Sequence, residues 1–215
     1  MVSKKLSLHF FLSFIIVMSK QQESLVIPSA KVILLGNSSV GKTSIILQFY
    51  KSIFDEENQP TIGAAYVSKT LSTAKGLIEL HVWDTAGQER FKSIIPMYMR
   101  GCAAVVFVCS ADNENSIDDL SKWKDLLDKN QQECKNIFVV LNKIDYRTPE
   151  PITLAREWAE KYEYHYAETS AKENRGIAEL FNDIGERIIQ NSNFQSIQDS
   201  VLSSEETPKK GTNCC

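Results

Sequence analysis

Gly36-Asn37-Ser38-Ser39-Val40-Gly41-Lys42-Thr43 fits the pattern G-x-x-x-x-G-K-[ST]. The apolar run Lys31-Val32-Ile33-Leu34-Leu35 leads into it, and Ile45, Ile46 and Phe49 follow at helical spacing. A buried strand, a glycine-hinged loop and a helix are therefore expected in that order. Glycines let such a loop turn its backbone N–H groups inward around phosphate oxygens. The helix N-terminus presents partial positive charge to the same anion. Lys42 supplies a charge for the terminal phosphates and Thr43 a hydroxyl ligand for Mg²⁺. A glycine-rich strand-to-helix turn can match the pattern by chance, and the pattern does not separate kinases, ATPases and GTPases.

Outward from this loop, Ala103–Val108 and Ile137–Leu141 are further apolar runs without alternation, as strands buried on both faces of a parallel sheet require. Ile117, Leu120, Trp123 and Leu127 recur at helical spacing, as do Ile177, Leu180, Phe181, Ile184 and Ile188. Strands alternating with helices give an α/β layered sheet with right-handed crossovers. Ala64–Thr73 and Leu77–Asp84, joined by Ala74-Lys75-Gly76, form a hairpin that adds an antiparallel edge.

The chain has 215 residues, 43% apolar and 24% charged, with 27 acidic against 24 basic side chains. One domain with appendages is expected, and a polytopic membrane protein or a wholly disordered chain is excluded. A net charge of −3 gives no electrostatic case for nucleic acid. Five cysteines do not make a disulfide framework; Cys102 and Cys109 fall in an apolar run and read as small buried hydrophobes. The domain is expected over residues 26–190, preceded by an extension, 1–25, and followed by a flexible polar tail, 191–215. In the extension, Lys4 and Lys5 precede an apolar run from Leu6 to Met18. A helix of that length spans about 20 Å, short of the ~30 Å hydrocarbon core. No small-residue cleavage pattern follows it. A secretory or anchoring segment and a translation start at Met18, which leaves residues 1–17 untranslated, both stay open.

Three more segments sit at strand ends. Asp84-Thr85-Ala86-Gly87-Gln88 places a carboxylate for water-mediated Mg²⁺ binding, a glycine N–H for a terminal phosphate and a glutamine able to orient water. In Asn142-Lys143-Ile144-Asp145, the Asp145 carboxylate can accept from guanine N1–H and the exocyclic amine. Adenine would leave that carboxylate unpaired, which is costly in a buried site. Ser170-Ala171-Lys172 can cap the base through backbone N–H groups.

These four segments, in this order, resemble the small GTPases of the Ras superfamily. Pro60-Thr61-Ile62-Gly63-Ala64-Ala65-Tyr66, Trp83 through Phe91, Met97-Tyr98-Met99-Arg100-Gly101 and the terminal Cys214-Cys215 narrow the resemblance to the Rab family. Thr61–Ala65 looks most like its early-endosomal branch. The resemblance implies a P-loop small-GTPase fold: a six-stranded, mostly parallel sheet with one antiparallel edge strand and helices on both faces. It implies GTP and GDP bound by Ser38, Ser39, Val40, Gly41, Lys42, Thr43, Ser44, Phe54, Thr61, Gly87, Asn142, Lys143, Asp145, Ser170, Ala171 and Lys172. Mg²⁺ would be held by Thr43, Thr61 and, through water, Asp84, and Gln88, Lys42 and Thr61 would carry hydrolysis. Residues 54–66 and about 86–100 would be two switches ordered by the γ-phosphate. Tyr66, Trp83 and Tyr98 match the aromatic trio read by effectors, although packing in the core is an equal reading of Trp83.

Cys214 and Cys215 resemble a double geranylgeranylation site, and two lipid chains give stable membrane attachment. The resemblance also implies a monomer in the cytosol and on the cytoplasmic face of intracellular membranes, early endosomes among them. Its partners would be an exchange factor, a GTPase-activating protein, a GDP-dissociation inhibitor or escort protein, and effectors. Cys109-Ser110, Met99 and Tyr146 depart from the family's usual residues without touching a motif position. The rival readings are a GTP-binding module that does not hydrolyse and a P-loop kinase or ATPase. Gln88, Thr61 and Thr43 speak against the first and Asp145 against the second.

Overall fold

The computed structural model describes residues 27–191 apart from 57, 58, 60, 89–92, 131–133, 147 and 148. The expectations for the extension, the Met18 start, the tail with Cys214 and Cys215, and Pro60 and Glu89–Phe91 fall outside the described residues.

Six strands, β1 Ser29–Leu35, β2 Ala64–Thr73, β3 Gly76–Thr85, β4 Ala104–Ser110, β5 Asn136–Asn142 and β6 His165–Glu168, form one sheet in the order β2-β3-β1-β4-β5-β6. Only the β2–β3 pairing is antiparallel, with Ala64 opposite Thr85 and Thr73 opposite Gly76. The other pairings are parallel, as in Val32 with Val82, Ile33 with Val105 and Val106 with Phe138. The sheet is thus the expected mixed one with a single reversed edge strand, and the hairpin falls where its two β-rich runs predict.

Side chains alternate across a strand, so each central strand feeds two cores. Val32, Leu34, Val106, Val108, Phe138 and Val140 face α1 Lys42–Lys51 and the last helix, Ile177–Asn191. On the opposite face, Ile33, Leu35, Val105, Phe107, Val139 and Leu141 meet α2 Ile95–Met99, α3 Asn115–Asp118, α4 Leu120–Lys129 and α5 Pro149–Lys161. The last helix, α6, buries Ile177, Leu180, Phe181, Ile184 and Ile188 along one stripe. Its Phe181 ring stacks on Phe49 of α1 at a centroid distance of 3.8 Å. At Gly185 an added Cβ would lie 3.1 Å from Ile78 Cγ2, so α6 lies close over the hairpin.

One expectation is refined. The periodicity from Ile117 to Leu127 reads as a single helix, yet the chain breaks at Asp119 into α3 and α4. Asp119 Oδ2 there accepts a 2.6 Å hydrogen bond from Asn37 Nδ2 in the glycine loop, a long-range tie that local periodicity does not encode.

Truncating Phe181 to Ala removes a fully buried ring from between α1, α6 and the sheet. We expect a loss of about 3–5 kcal/mol, read as a lower urea midpoint with an unchanged slope.

Candidate functional site

The parallel strands all end at one rim. A cavity of about 620 Å³ opens there, between the glycine loop, Phe54–Glu56, the Gly87-Gln88 turn and the loops after β5 and β6. Such a rim, outside the carboxyl ends of an open α/β sheet, is where these folds bind ligands.

The loop after β1 is shaped by contact. Gly41, the residue before α1, has φ +93°, and an added Cβ would lie 2.3 Å from Asn142 Nδ2. Gly87 approaches just as closely, its hypothetical Cβ being 2.4 Å from Asn37 C and Ser38 N. The Asp84–Gly87 turn therefore rests backbone-to-backbone on the glycine loop. Asn37 is fixed from the other side, since its Oδ1 accepts from Trp123 Nε1 at 2.9 Å while its Nδ2 donates to Asp119.

Lys42 is nearly inaccessible, at 5% exposure. Its ammonium donates to the carbonyls of Gly36 (2.8 Å) and Asn37 (2.6 Å). Burial pushes its pKa down to about 8 from 10.5, against an opposing pull from the Asp84 carboxylate. Thr43 Oγ1 and Thr61 Oγ1 both donate to Asp84 Oδ2, at 2.8 and 2.9 Å, and lie 2.9 Å from each other. Asp84 Oδ1 is buried without a hydrogen-bond partner among the described residues. Burial also raises the Asp84 pKa, with the two threonine hydroxyls and Lys42 pulling it back.

On the other side of the cavity, Asn142 Nδ2 donates to Val40 O at 3.0 Å. Its Oδ1 accepts from Thr169 Oγ1 (3.1 Å) and from the Ala171 N–H (3.2 Å). One buried amide thus joins three loops. Asp145 is oriented by Ser170 Oγ, which donates to its Oδ1 at 2.6 Å. Lys143 adopts φ +62° and pairs with Asp112 Oδ2 at 2.7 Å. Lys172 reaches across the cavity mouth to Glu56 at 2.9 Å.

Of the residues singled out in the sequence, Ser38, Ser39, Gly41, Lys42, Thr43, Ser44, Phe54, Thr61, Gly87, Gln88, Asn142, Lys143, Asp145, Ala171 and Lys172 line the cavity. Val40, Asp84 and Ser170 stand behind it as buried supports. Asp55, Glu56, Gln59, Thr85 and Tyr146 line it too; they lie within or beside the segments singled out in the sequence, but nothing in their residue types marked them as cavity residues. Tyr66, Trp83 and Tyr98 sit away from the cavity in one row, with ring centroids 5.3 and 5.6 Å apart. Tyr66 is 57% exposed, whereas Trp83 and Tyr98 are half-buried against the second core. Trp83 therefore packs inward against the second core and stays partly exposed beside Tyr66 and Tyr98.

Comparison with known proteins supplies the lineage. A profile of the Ras family matches residues 31–190. The Ras-related protein Rab5 of Nicotiana tabacum is 34% identical over 192 residues, covering 87% of this chain and 95% of that protein. Rab-31 of Rattus norvegicus is 41% identical over 160 residues, 74% of this chain and 82% of its own. RABF2b of Arabidopsis thaliana is 36% identical over 162 residues, 74% and 81% of the two chains.

The chain belongs to the Rab branch of the Ras family. It is a Rab-type small GTPase, an enzyme that hydrolyses GTP and serves vesicle traffic. The family's nucleotides are GTP and GDP, and the cavity of this Rab is lined by Lys42 and Asp145, with the Asp84 carboxylate buried behind it.

The buried lysine makes a pH signature. In the nucleotide-free Rab the folded state releases the Lys42 proton near pH 8, while the unfolded chain keeps it to about 10.5. The unfolded state then binds more protons, so this residue makes stability rise with pH across that window. Denaturant midpoints at pH 7.5 and 9.5 should rise more in the wild type than in Lys42→Met, which lacks the titrating group.

Proposed function

We propose that this Rab works as a GTP-timed switch whose cavity grips the nucleotide from both ends, and that it acts on endosomal membranes. The observation that carries the first part is the joint placement of Lys42, the Thr43–Thr61–Asp84 cluster and Gln88 at one end, with Asp145 at the other. In this reading Lys42 and the backbone N–H groups of the glycine loop bind the β- and γ-phosphates. Lys42 then exchanges its contacts with the Gly36 and Asn37 carbonyls for phosphate oxygens, and its buried charge gains an anion. Phe54 packs on the base. Asp145, aimed by Ser170, accepts from guanine and rejects adenine, while Ala171 and Lys172 close the far side. Ser39 lines the path of the phosphates with Val40 buried behind it, and Ser44 continues it into α1.

The residues around Asp84 fit Mg²⁺. Two hydroxyls and a carboxylate form an all-oxygen set suited to a hard cation, and Asp84 Oδ1 is buried with nothing to satisfy it. Thr43 and Thr61 would hold the ion directly and Asp84 through water. When bound, Mg²⁺ neutralises charge on the phosphate oxygens. Gln88 positions the attacking water, and the Thr61 N–H holds the γ-phosphate. An arginine supplied by an activating protein adds the charge that the chain's own motifs lack.

Loss of the γ-phosphate frees Thr61 and Gly87, and the segments carrying them, residues 54–66 and 86–100, change shape. Tyr66, Trp83 and Tyr98 lie beside both segments and form the surface that effectors read. An exchange factor, an activating protein and a GDP-dissociation inhibitor complete the cycle. Cys214 and Cys215 carry the lipids that hold the GTP form on the cytoplasmic face of the membrane. The likeness of Thr61–Ala65 to the early-endosomal branch, together with Rab5 and Rab-31 among the relatives, supports endosomes as the site.

Single-turnover hydrolysis tests the assignment. Gln88→Leu should bind GTP within about threefold of wild type and hydrolyse it at least about tenfold more slowly; equal rates would remove Gln88 from the mechanism. Asp145→Ala should cut the preference for GTP over ATP by about 10²-fold or more, measured by competition for a fluorescent guanine nucleotide.

A further inference from the structure

Two cysteines meet at the rim opposite the nucleotide cavity. Ala104 and Asn136 open β4 and β5 as paired residues of parallel strands. Cys102 and Cys134 each stand two residues before that pair, with a bend at the intervening residue, Ala103 and Lys135. Both side chains join the second core, and each thiol acts on the protonation of the other. Asn136 Nδ2 donates to Ala103 O at 2.9 Å, which locks the two approaches side by side. Neighbouring strands lie about 4.8 Å apart, inside the roughly 4.4–6.8 Å Cα separation that a disulfide spans. Both cysteines are free, Cys102 nearly buried and Cys134 half-exposed.

We infer that Cys102 and Cys134 form a redox-sensitive dithiol that hydrogen peroxide closes to a disulfide. Cys134 is the attacking sulfur. The neighbouring Cys102 thiol lowers its pKa against the cost of burial, while the Cys102 thiol is itself pushed up. Lys31, close enough to act on Cys102, adds positive charge to the pair. The Cys134 thiolate attacks peroxide; an S–O bond forms, the O–O bond breaks, and the departing hydroxide takes a proton to become water. Cys102 then attacks the Cys134 sulfenic acid; the S–S bond forms, the S–O bond breaks and a second water leaves. Two thiols lose two electrons and one peroxide gains them, and a dithiol reductant reverses the change. Low thiol pKa, partial access and an adjacent resolving sulfur are the features of a sensor, whereas Cys109, wholly buried and pushed up to about 12, is inert.

The position gives the crosslink a consequence. The Cys102 N–H donates to Met99 O at 3.2 Å and the Ala103 N–H to Lys31 O at 2.8 Å, at the point where the chain returns from α2 to the sheet. Lys31 Nζ in turn donates to Arg100 O at 3.1 Å and lies 4.7 Å from the Trp83 ring centroid. The disulfide therefore pins the segment directly behind the aromatic row, while the nucleotide cavity at the other rim is untouched.

The full-length protein, reduced and then exposed to hydrogen peroxide, should be alkylated, digested without reductant and mapped by mass spectrometry. The expected product is a Cys102–Cys134 linked peptide two hydrogens lighter than its parts, with Cys109 still a thiol. Dithiothreitol should restore the starting peptides. The oxidised protein should unfold several degrees higher, keep its GTP hydrolysis within about twofold, and show neither the peptide nor the Tm shift in Cys134→Ser. Cys134 recovered as sulfinic acid with Cys102 still open to alkylation, or a bond from Cys134 to any cysteine other than Cys102, would overturn the inference.

Discussion

A lysine ammonium buried in a loop of carbonyl oxygens is the constraint around which this protein is organised. Lys42 is almost inaccessible, and two backbone carbonyls are its immediate partners, with a buried carboxylate further off. Burying a charge is unfavourable unless an opposite charge meets it. The arrangement lowers the lysine's pKa and costs stability; under the proposed function a phosphate in the cavity would gain from the same burial, because little water screens it. The two hydrophobic cores lie on the sheet faces, away from this rim.

What keeps the rim rigid is a small set of amides. Asn142 ties the glycine loop to the loop after β6, and Asn37 ties the glycine loop to Trp123 and Asp119. Buried networks of this kind hold a unique geometry when every member is satisfied. Among the atoms left unsatisfied in the described residues, Asp84 Oδ1 belongs to this rim. Catalysis of phosphoryl transfer depends on positioning and charge stabilisation more than on covalent chemistry, so a stiff frame with an unsatisfied edge is what such an enzyme needs. Thr61 reaches the same frame through hydroxyl contacts with Thr43 and Asp84.

The aromatic row and the cysteine pair extend the same logic to the rest of the surface. Tyr66, on the edge strand, is mostly exposed, while Trp83 and Tyr98 are anchored in the second core. Large rings held by packing on one side give a partner a preformed, low-entropy contact on the other. Lys31 links this row to the turn before β4 where Cys102 lies, so two chemically different features share one mechanical element.

The strands, the hairpin, the last helix and the four motif loops were legible in the residues, because buried strands, helical stripes and glycine loops each leave a local pattern of spacing. The glycine loop's match to phosphate binding rested on residue types within eight positions, and the rim placement followed from parallel topology alone. Other features had no local signature. The break at Asp119, the anchoring of Asn37, the Lys143–Asp112 and Lys172–Glu56 pairs and the meeting of Cys102 with Cys134 join residues far apart in the chain. Their partners are chosen by strand register and by which loops the sheet brings to one rim, and register is a property of the assembled sheet. Chain order specified the chemistry available to this protein; folding chose which of those groups face one another, because hydrogen bonds and ion pairs depend on separations of a few ångströms that only the packed layers set.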